Sequence, residues 1–207
     1  MTQIVPVIHI INKEQANANI QLCIKHNIKK VFLISHGYML DSELLEFSTE
    51  CKEKYGKLWI GVNLLGTRPE VVVSLNSIVD AFWIDQTITA EIMNRREFKG
   101  QIFGGLAFKY QPQPKDLENA CKNAKIFTDV AVTSGSGTGK EISYIKLSAI
   151  RTYIGSHKLA VASGVNKNNA KNLSELASYL MVASSITNLK TELIIEDELV
   201  KLINSIK

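Results

Sequence analysis

A segment rich in glycine and hydroxyl groups, residues 134–140, is the strongest local signal for anion binding. It reads Ser-Gly-Ser-Gly-Thr-Gly-Lys and directly follows a short apolar run at 129–133. Glycines let a backbone turn tightly and present its N–H groups to a phosphate, and hydroxyls add further donors. We therefore predict phosphate contacts from Ser134, Gly135, Ser136, Gly137, Thr138 and Gly139.

This segment matches neither common nucleotide-binding loop. A P-loop needs glycine where Ser134 lies and a metal-binding Ser or Thr where Glu141 lies. The dinucleotide fingerprint needs its third glycine where Lys140 lies. Both nucleotide motifs are therefore excluded, and the alternative to phosphate binding is a flexible loop without a ligand.

Small residues also follow the next two apolar runs of the chain. Ser163 and Gly164 come after the run at 159–162, and Ser184 and Ser185 come after the run that begins at Tyr179. Barrels that bind phosphorylated ligands commonly hold the phosphate between the loops after strands seven and eight. We predict that these four residues complete a phosphate site with the glycine-rich segment.

Two polar residues at the ends of apolar runs are candidates for proton transfer. Asp85 follows Ala-Phe-Trp-Ile at 81–84, where partial burial would raise the pKa of its carboxyl and suit a general acid or base. The alternative is a structural acid that caps the following helix. Asn63 interrupts another apolar run and would orient a substrate oxygen or bond a neighbouring loop.

Lys109 and His36 complete the predicted catalytic set. Lys109 follows the run at 102–108 and would form a Schiff base, hold an anionic substrate group or lie in solvent. His36, before a glycine, is a candidate proton carrier, whereas His9 is equally well explained as a core residue within the first strand. His9, His36 and Asp85 show no paired metal-ligand spacing, so we predict no protein-bound metal and no other cofactor, and the sequence leaves open a metal that arrives with a phosphate ligand.

All of these candidates lie near the ends of short apolar runs that recur regularly along the chain. Runs that are apolar at nearly every position are typical of parallel strands buried on both faces, and the segments between them show helical periodicity. The predicted strands span 4–10, 30–35, 58–64, 81–85, 102–108, 129–133, 159–162 and 179–183.

Eight strand–helix units in even alternation fit two architectures, a closed barrel and an open doubly wound sheet. The early turns lack the glycine fingerprint of the open sheet, so the pattern favours a compact (β/α)₈ TIM barrel. We predict one barrel domain over residues 1–207, with short helices and loops, because such barrels typically need about 250 residues.

Composition narrows the class of protein further. The chain is 45% hydrophobic and 21% charged, as in ordinary globular proteins, and its formal charge of +4 is scattered, which argues against nucleic-acid binding. Three unpaired cysteines favour a reducing compartment, and neither an export signal nor a membrane-spanning stretch is evident. We expect a cytoplasmic protein that does not span a membrane, and the sequence leaves homo-oligomerisation open.

Three segments resemble, in order, the BtpA/SgcQ family of predicted barrels. They are Ile-Gly-Val-Asn-Leu-Leu at 60–65, the stretch 129–139 and Val-Ala-Ser-Gly-Val at 161–165, while 7–9 and 182–185 look like the first and last strands of that family. The family is similar to phosphate-binding barrels such as thiamin-phosphate synthase and phosphoribosylanthranilate isomerase. This chain departs from it because no proline-rich loop follows His9.

Two functions from different classes follow from these observations. The first is an enzyme acting on a small phosphorylated metabolite, a sugar phosphate or a nucleotide precursor, by an isomerase, lyase or glycosyl-transfer reaction. The alternative, implied by the resemblance, is a non-catalytic binding or complex-assembly protein. An enzyme should bring Asp85 and a second titratable group together at the barrel mouth, whereas a scaffold should expose a large apolar patch.

Overall fold

A computed structural model of the protein describes residues 2–207 and shows eight parallel strands closed into a barrel, in chain order, alternating with helices. The strands are β1 (Gln3–His9), β2 (Lys30–Ile34), β3 (Trp59–Asn63), β4 (Ala81–Ile84), β5 (Gln101–Gly105), β6 (Val130–Ser134), β7 (Leu159–Ala162) and β8 (Tyr179–Val182). The helices are α1 (Lys13–Lys25), α2 (Asp41–Lys54), α3 (Pro69–Val72), α4 (Ala90–Met93), α5 (Leu117–Phe127), α6 (Tyr144–Ile154), α7 (Ala170–Ser174) and α8 (Glu196–Ser205). The predicted (β/α)₈ fold is confirmed.

Very short helices explain how a barrel fits into a chain of this length. The helices α3 and α4 have 4 residues each and α7 has 5, about one turn. The three cysteines lie in the longer helices α1, α2 and α5 and are buried. Within residues 2–207, none of the helices combines the length and the apolar character needed to cross a bilayer.

Seven of the eight predicted strands agree with the structure to within one residue at each end, and the fifth does not. The strand β5 ends at Gly105, although the apolar run continues to Phe108. The chain leaves the sheet here because Ala107 has a φ of 48°. Leu106 and Phe108 are still buried, so their apolar character reflects a loop packed on the barrel rather than a longer strand.

The pleat of each strand divides its side chains between two cores. Alternate residues point into the barrel, and the others pack against the helices. On β1 and β4 the inward series runs through Val7 and Trp83, so His9 and Asp85 continue it at the carboxyl ends. The same alternation turns Asn63 inward on β3.

A layer of aromatic rings fills the lower half of the barrel. The ring centroid of Phe32 lies 5.3 Å from that of Trp59 and 5.0 Å from that of Phe103. Tyr179 extends the layer from β8, 5.5 Å from Phe103. Gly61 makes room for these rings, because a Cβ at this position would lie 2.2 Å from Phe32 Cε1. This packed layer closes the barrel interior below the carboxyl ends of the strands.

We expect the substitution Gly61→Ala to destabilise the protein. The added methyl has no space, since Phe32 is fully buried and its neighbours are aromatic, so overpacking should lower the unfolding free energy by about 1–3 kcal/mol. Urea denaturation measures this change. Gly56→Ala is the matched control, because its Cβ would meet only the Lys52 carbonyl oxygen at 4.0 Å. Equal stability of the two variants would contradict the packing argument.

Candidate active site at the mouth of the barrel

A cavity of ≈ 250 Å³ lies at the carboxyl ends of the strands. Its wall contains all four residues predicted for catalysis and four of those predicted for phosphate binding, together with neighbouring side chains that were not predicted. The polar residues of the lining are His9, His36, Asn63, Asp85, Lys109, Tyr110, Thr138, Ser163 and Ser184, with Gly139 beside them. Residues from most of the strand-end loops therefore meet in one small space.

Asp85 and Asn63 form a hydrogen-bonded pair on neighbouring strands. Asn63 Nδ2 donates to Asp85 Oδ1 at 3.1 Å. The backbone of Asp85 is pressed against β5, where a Cβ at Gly105 would lie 1.8 Å from the Asp85 carbonyl oxygen. The cap of the following helix is Thr89, whose side chain accepts from the Ile92 N–H, so Asp85 is not the helix cap considered above.

The environment of Asp85 shifts its acid strength in opposing directions. Burial raises the pKa of its carboxyl, while the Asn63 hydrogen bond and the nearby Lys109 and His36 oppose the rise; the net pKa is raised. A carboxyl with a raised pKa in a cavity is suited to proton transfer.

His9 and His36 stand edge to face in the same cavity. Their ring centroids are 4.9 Å apart. Burial lowers the pKa of His9 to about 4, with the neighbouring His36 and Lys109 acting in the same direction, and burial also lowers the pKa of His36. Both imidazoles are therefore predominantly neutral at pH 7. His9 is a strand-end residue of the cavity wall, in contrast to the core role that its sequence position also allowed.

Lys109 reaches the cavity from a loop rather than from a strand end. Its Nζ donates to Thr138 Oγ1 at 3.1 Å, and its backbone N–H donates to Ser134 Oγ at 2.8 Å. Burial lowers the pKa of Lys109, which Asp85 partly offsets. Lys146 holds the two loops together by donating to the carbonyls of Ala107 at 2.6 Å and Ser134 at 2.9 Å.

Four residues predicted to bind phosphate line the cavity, and they come from three successive loops. Thr138 and Gly139 follow β6, Ser163 follows β7 and Ser184 follows β8. Ser163 adopts a φ of 72°, a conformation that a residue with a side chain rarely takes. Such backbone strain is concentrated at functional sites.

The other residues predicted to bind phosphate shape the loops instead of lining the cavity. The Ser134 hydroxyl is buried and donates to the Gly135 carbonyl at 3.0 Å, and the Ser185 hydroxyl donates to the Val165 carbonyl at 2.7 Å. A Cβ at Gly135 or at Gly164 would lie within 2.6 Å of the backbone at 140–141. The lining of the cavity likewise does not include Ser136 or Gly137.

Three residues of the site were not predicted from sequence. Tyr110 lies at the rim, where its hydroxyl accepts from the Thr138 N–H at 3.1 Å. Glu192 approaches His9 from the loop after β8, with 3.6 Å between its Oε2 and His9 Nδ1. Trp83 is part of the wall, and among residues 2–207 its buried Nε1 has no hydrogen-bond partner, which leaves a donor for a ligand oxygen or a water. The sequence did offer a signal for Trp83, because it lies two residues before Asp85 and therefore on the same face of the strand.

Residues 2–207 contain no group of three or more His, Cys, Asp and Glu side chains arranged to hold a metal ion.

Comparison with known proteins identifies the class of fold. No protein-family model matches the chain, and no curated protein matches it by sequence. The chain is similar in structure to 3-hexulose-6-phosphate synthase from Salmonella typhimurium, with 12% identity, a TM-score of 0.73 and coverage of 99% of this chain and 98% of that one. It is also similar to phosphoribosyl anthranilate isomerase from Thermus thermophilus, with 12% identity, a TM-score of 0.70 and coverage of 99% of this chain and 98% of that one. A third similar structure is KGPDC from Streptococcus mutans, with 13% identity, a TM-score of 0.69 and coverage of 100% of this chain and 98% of that one. At these identities the similarity shows the TIM-barrel fold.

The lowered pKa of His9 makes stability depend on pH. The pKa falls from 6.5 to about 4 on folding, so the unfolded chain binds this proton more readily. The unfolding free energy should therefore decrease as the pH falls from about 6.5 to about 4, by on the order of 2–3 kcal/mol from this residue. Urea denaturation between pH 4 and 7 should show a shallower dependence for His9→Gln, and an unchanged slope would contradict this assignment.

Proposed function

We propose that the protein is an enzyme that acts on a small phosphorylated metabolite by proton transfer at the barrel mouth. The observation that carries this proposal is that Asp85, His36 and Lys109 share one cavity with hydroxyl and glycine residues from the loops after β6, β7 and β8. Titratable groups with shifted pKa values, in a concave site at the carboxyl ends of barrel strands, are typical of an active site.

The phosphate would occupy the side of the cavity formed by Gly139, Ser163 and Ser184. Both serine residues line the cavity, and a Cβ at Gly139 would meet no atom within 4 Å, so space remains beside this loop. Lys109 supplies a positive charge to the same cavity. The names of the structural neighbours include a hexulose phosphate synthase and a phosphoribosyl anthranilate isomerase, which is consistent with a phosphorylated ligand.

Asp85 would exchange the proton with the substrate. Burial raises the pKa of its carboxyl, which increases its basicity, and Asn63 orients one carboxylate oxygen and leaves the other for the substrate. The Lys109 ammonium would stabilise negative charge as it develops on the substrate. Isomerase, lyase and glycosyl-transfer reactions each fit this arrangement.

The size of the cavity favours the smaller of the two substrate classes. Its volume of ≈ 250 Å³ lies below the range of about 300–1,000 Å³ typical of sites for drug-sized ligands. A sugar phosphate fits this space better than a nucleotide precursor with an aromatic ring.

A non-catalytic assembly role of the BtpA type is the second candidate. Three large apolar side chains are exposed in the loops beside the mouth, Tyr38, Leu40 and Leu65, and they would serve a protein partner. The BtpA resemblance stays a prediction. Polar, titratable groups in the cavity wall favour the enzyme over this alternative.

A thermal-shift screen against phosphorylated sugars of three to six carbons tests the proposal. Inorganic phosphate and the unphosphorylated sugars serve as comparisons. A ligand at about 100 times its dissociation constant adds about 2.7 kcal/mol, which raises the Tm of a domain of this size by roughly 5–10 °C. We expect such a shift for one phosphorylated class only.

Two serine variants locate the binding. Ser184→Asp places a carboxylate in the cavity and should abolish the shift, whereas Ser136→Asp adds the same charge to an exposed residue outside the lining and should retain it. No shift for any phosphorylated sugar would contradict the enzyme proposal and direct attention to protein partners.

We expect Asp85→Asn to separate stability from activity. Burial makes the ionised carboxylate costly in the folded state, so its removal should leave Tm unchanged or raised while kcat on an identified substrate falls roughly 10²–10⁴-fold. Asp41→Asn is the control, because the Asp41 carboxylate accepts from Gly66 N–H at 2.9 Å and from Thr67 Oγ1 at 2.6 Å, outside the cavity. Full activity of Asp85→Asn would rule out its proposed role.

A further inference from the structure

We propose that Glu192 is a positioning residue that orients His9 as a second proton-transfer group of the site. The inference rests on the proposed function for its catalytic meaning, and on the contacts of residues 9, 15, 19 and 192 for its geometry. The sequence left His9 open between a proton-transfer role and a core role, and it gave no indication of Glu192.

Glu192 is presented by a small hairpin in the loop after β8. Thr187 and Ile194 form an antiparallel bridge, and the Glu192 N–H donates to the Asn188 carbonyl at 2.8 Å. Glu192 has a φ of 49°, in the left-handed region that residues with side chains avoid. A strained conformation persists only where its surroundings determine it.

Two amide side chains of α1 hold Glu192 in this conformation. Asn19 Nδ2 donates to the Glu192 carbonyl at 2.7 Å, while Asn19 Oδ1 accepts from the Ile194 N–H at 2.8 Å. Gln15 Nε2 donates to the Glu192 carbonyl at 2.6 Å and to the His9 carbonyl at 3.1 Å. Gln15 and Asn19 are both buried, so a single clamp fixes the backbones of His9 and Glu192 relative to each other.

The clamp brings the Glu192 carboxylate close to Nδ1 of the His9 ring. Oε2 lies 3.6 Å from Nδ1, within ion-pair distance and slightly long for a hydrogen bond. Such contacts are often long in the absence of substrate and shorten when it binds. The His9 ring also meets His36, with 4.9 Å between centroids, so Glu192 contacts one of two neighbouring histidines that line the cavity.

This arrangement selects one tautomer of His9. A carboxylate beside Nδ1 favours the proton on that nitrogen, which leaves Nε2 as an unprotonated acceptor. The charged and titratable groups around His9 are His36, Lys109 and Glu192, and Glu192 is the acid among them.

In the reaction, a proton would pass from the substrate to His9 Nε2 while the bonding electron pair stays on the substrate. The imidazolium that forms is balanced by the Glu192 carboxylate, which opposes the burial that lowers the pKa of His9 to about 4 in the free protein, and the proton returns to the product. A base held by a carboxylate in this way is a recurring catalytic arrangement. Asp85 and His9 would then provide two proton-transfer groups in one cavity.

Nitrogen NMR of ¹⁵N-histidine-labelled protein tests the inference without any ligand. The protein has four histidines, and His9→Gln assigns the His9 signals by difference. At pH 7 we expect His9 to carry its proton on Nδ1. Glu192→Leu should move the signals toward a mixture of tautomers, whereas Glu192→Gln, which keeps an acceptor oxygen, should retain the Nδ1–H form.

Glu141→Leu is the matched control, because Glu141 is a loop acid whose carboxylate binds Asn166 at 2.8 Å, away from His9. It should leave the His9 signals unchanged. An Nε2–H tautomer in the wild-type protein, or His9 signals that do not respond to Glu192→Leu, would overturn the inference. Because no ligand is involved, this failure is distinct from a failure of the phosphate proposal, which the thermal-shift screen reports.

A substrate, once found, gives a second readout. Loss of positioning should lower kcat for Glu192→Leu with little change in KM, and Glu192→Gln should recover part of kcat while altering its pH profile. An unchanged kcat and pH profile for Glu192→Leu would contradict the positioning role.

Discussion

Closure of eight parallel strands into a barrel leaves no free sheet edge and creates an interior that side chains must fill. In this chain the lower half is filled by aromatic rings, which fit only because residue 61 lacks a side chain. The upper half keeps a cavity whose wall is partly apolar, while the inward positions at the ends of β1, β3 and β4 are polar. The cavity is thus a consequence of where along each strand the inward series changes from apolar to polar.

That change from apolar to polar residues places ionisable groups where water only partly reaches them, and such burial disfavours their charged forms. Burial shifts the pKa values of His9, Asp85 and Lys109 toward the neutral form of each group. Lys146 and the amides of Gln15 and Asn19 instead bind backbone carbonyls, so their role is to hold loops in place. The site therefore consists of a few perturbed groups supported by a larger number of polar contacts.

The parts of this molecule that depend on local pattern could be predicted from the sequence. The strand positions followed from continuous apolar runs. The inward direction of Asp85 and Asn63 could not be predicted, because it depends on the register of the closed barrel and a shift of one residue would reverse it. The end of β5 was missed because Leu106 and Phe108 are apolar for a different reason, burial in a loop. Glu192 was missed because its contact with His9 joins opposite ends of the chain, and no local pattern reports such a pairing.

The central claim is that a phosphate group binds between the loops after β6, β7 and β8. An amide ¹H–¹⁵N NMR titration with inorganic phosphate tests it most directly, because this probe does not depend on the identity of the substrate. We expect saturable shifts centred on the amides of Gly139, Ser163 and Ser184, and their loss in Ser184→Asp. Shifts centred on the lysines at 29–30, at the opposite end of the barrel, or no saturable shift at the mouth, would contradict it.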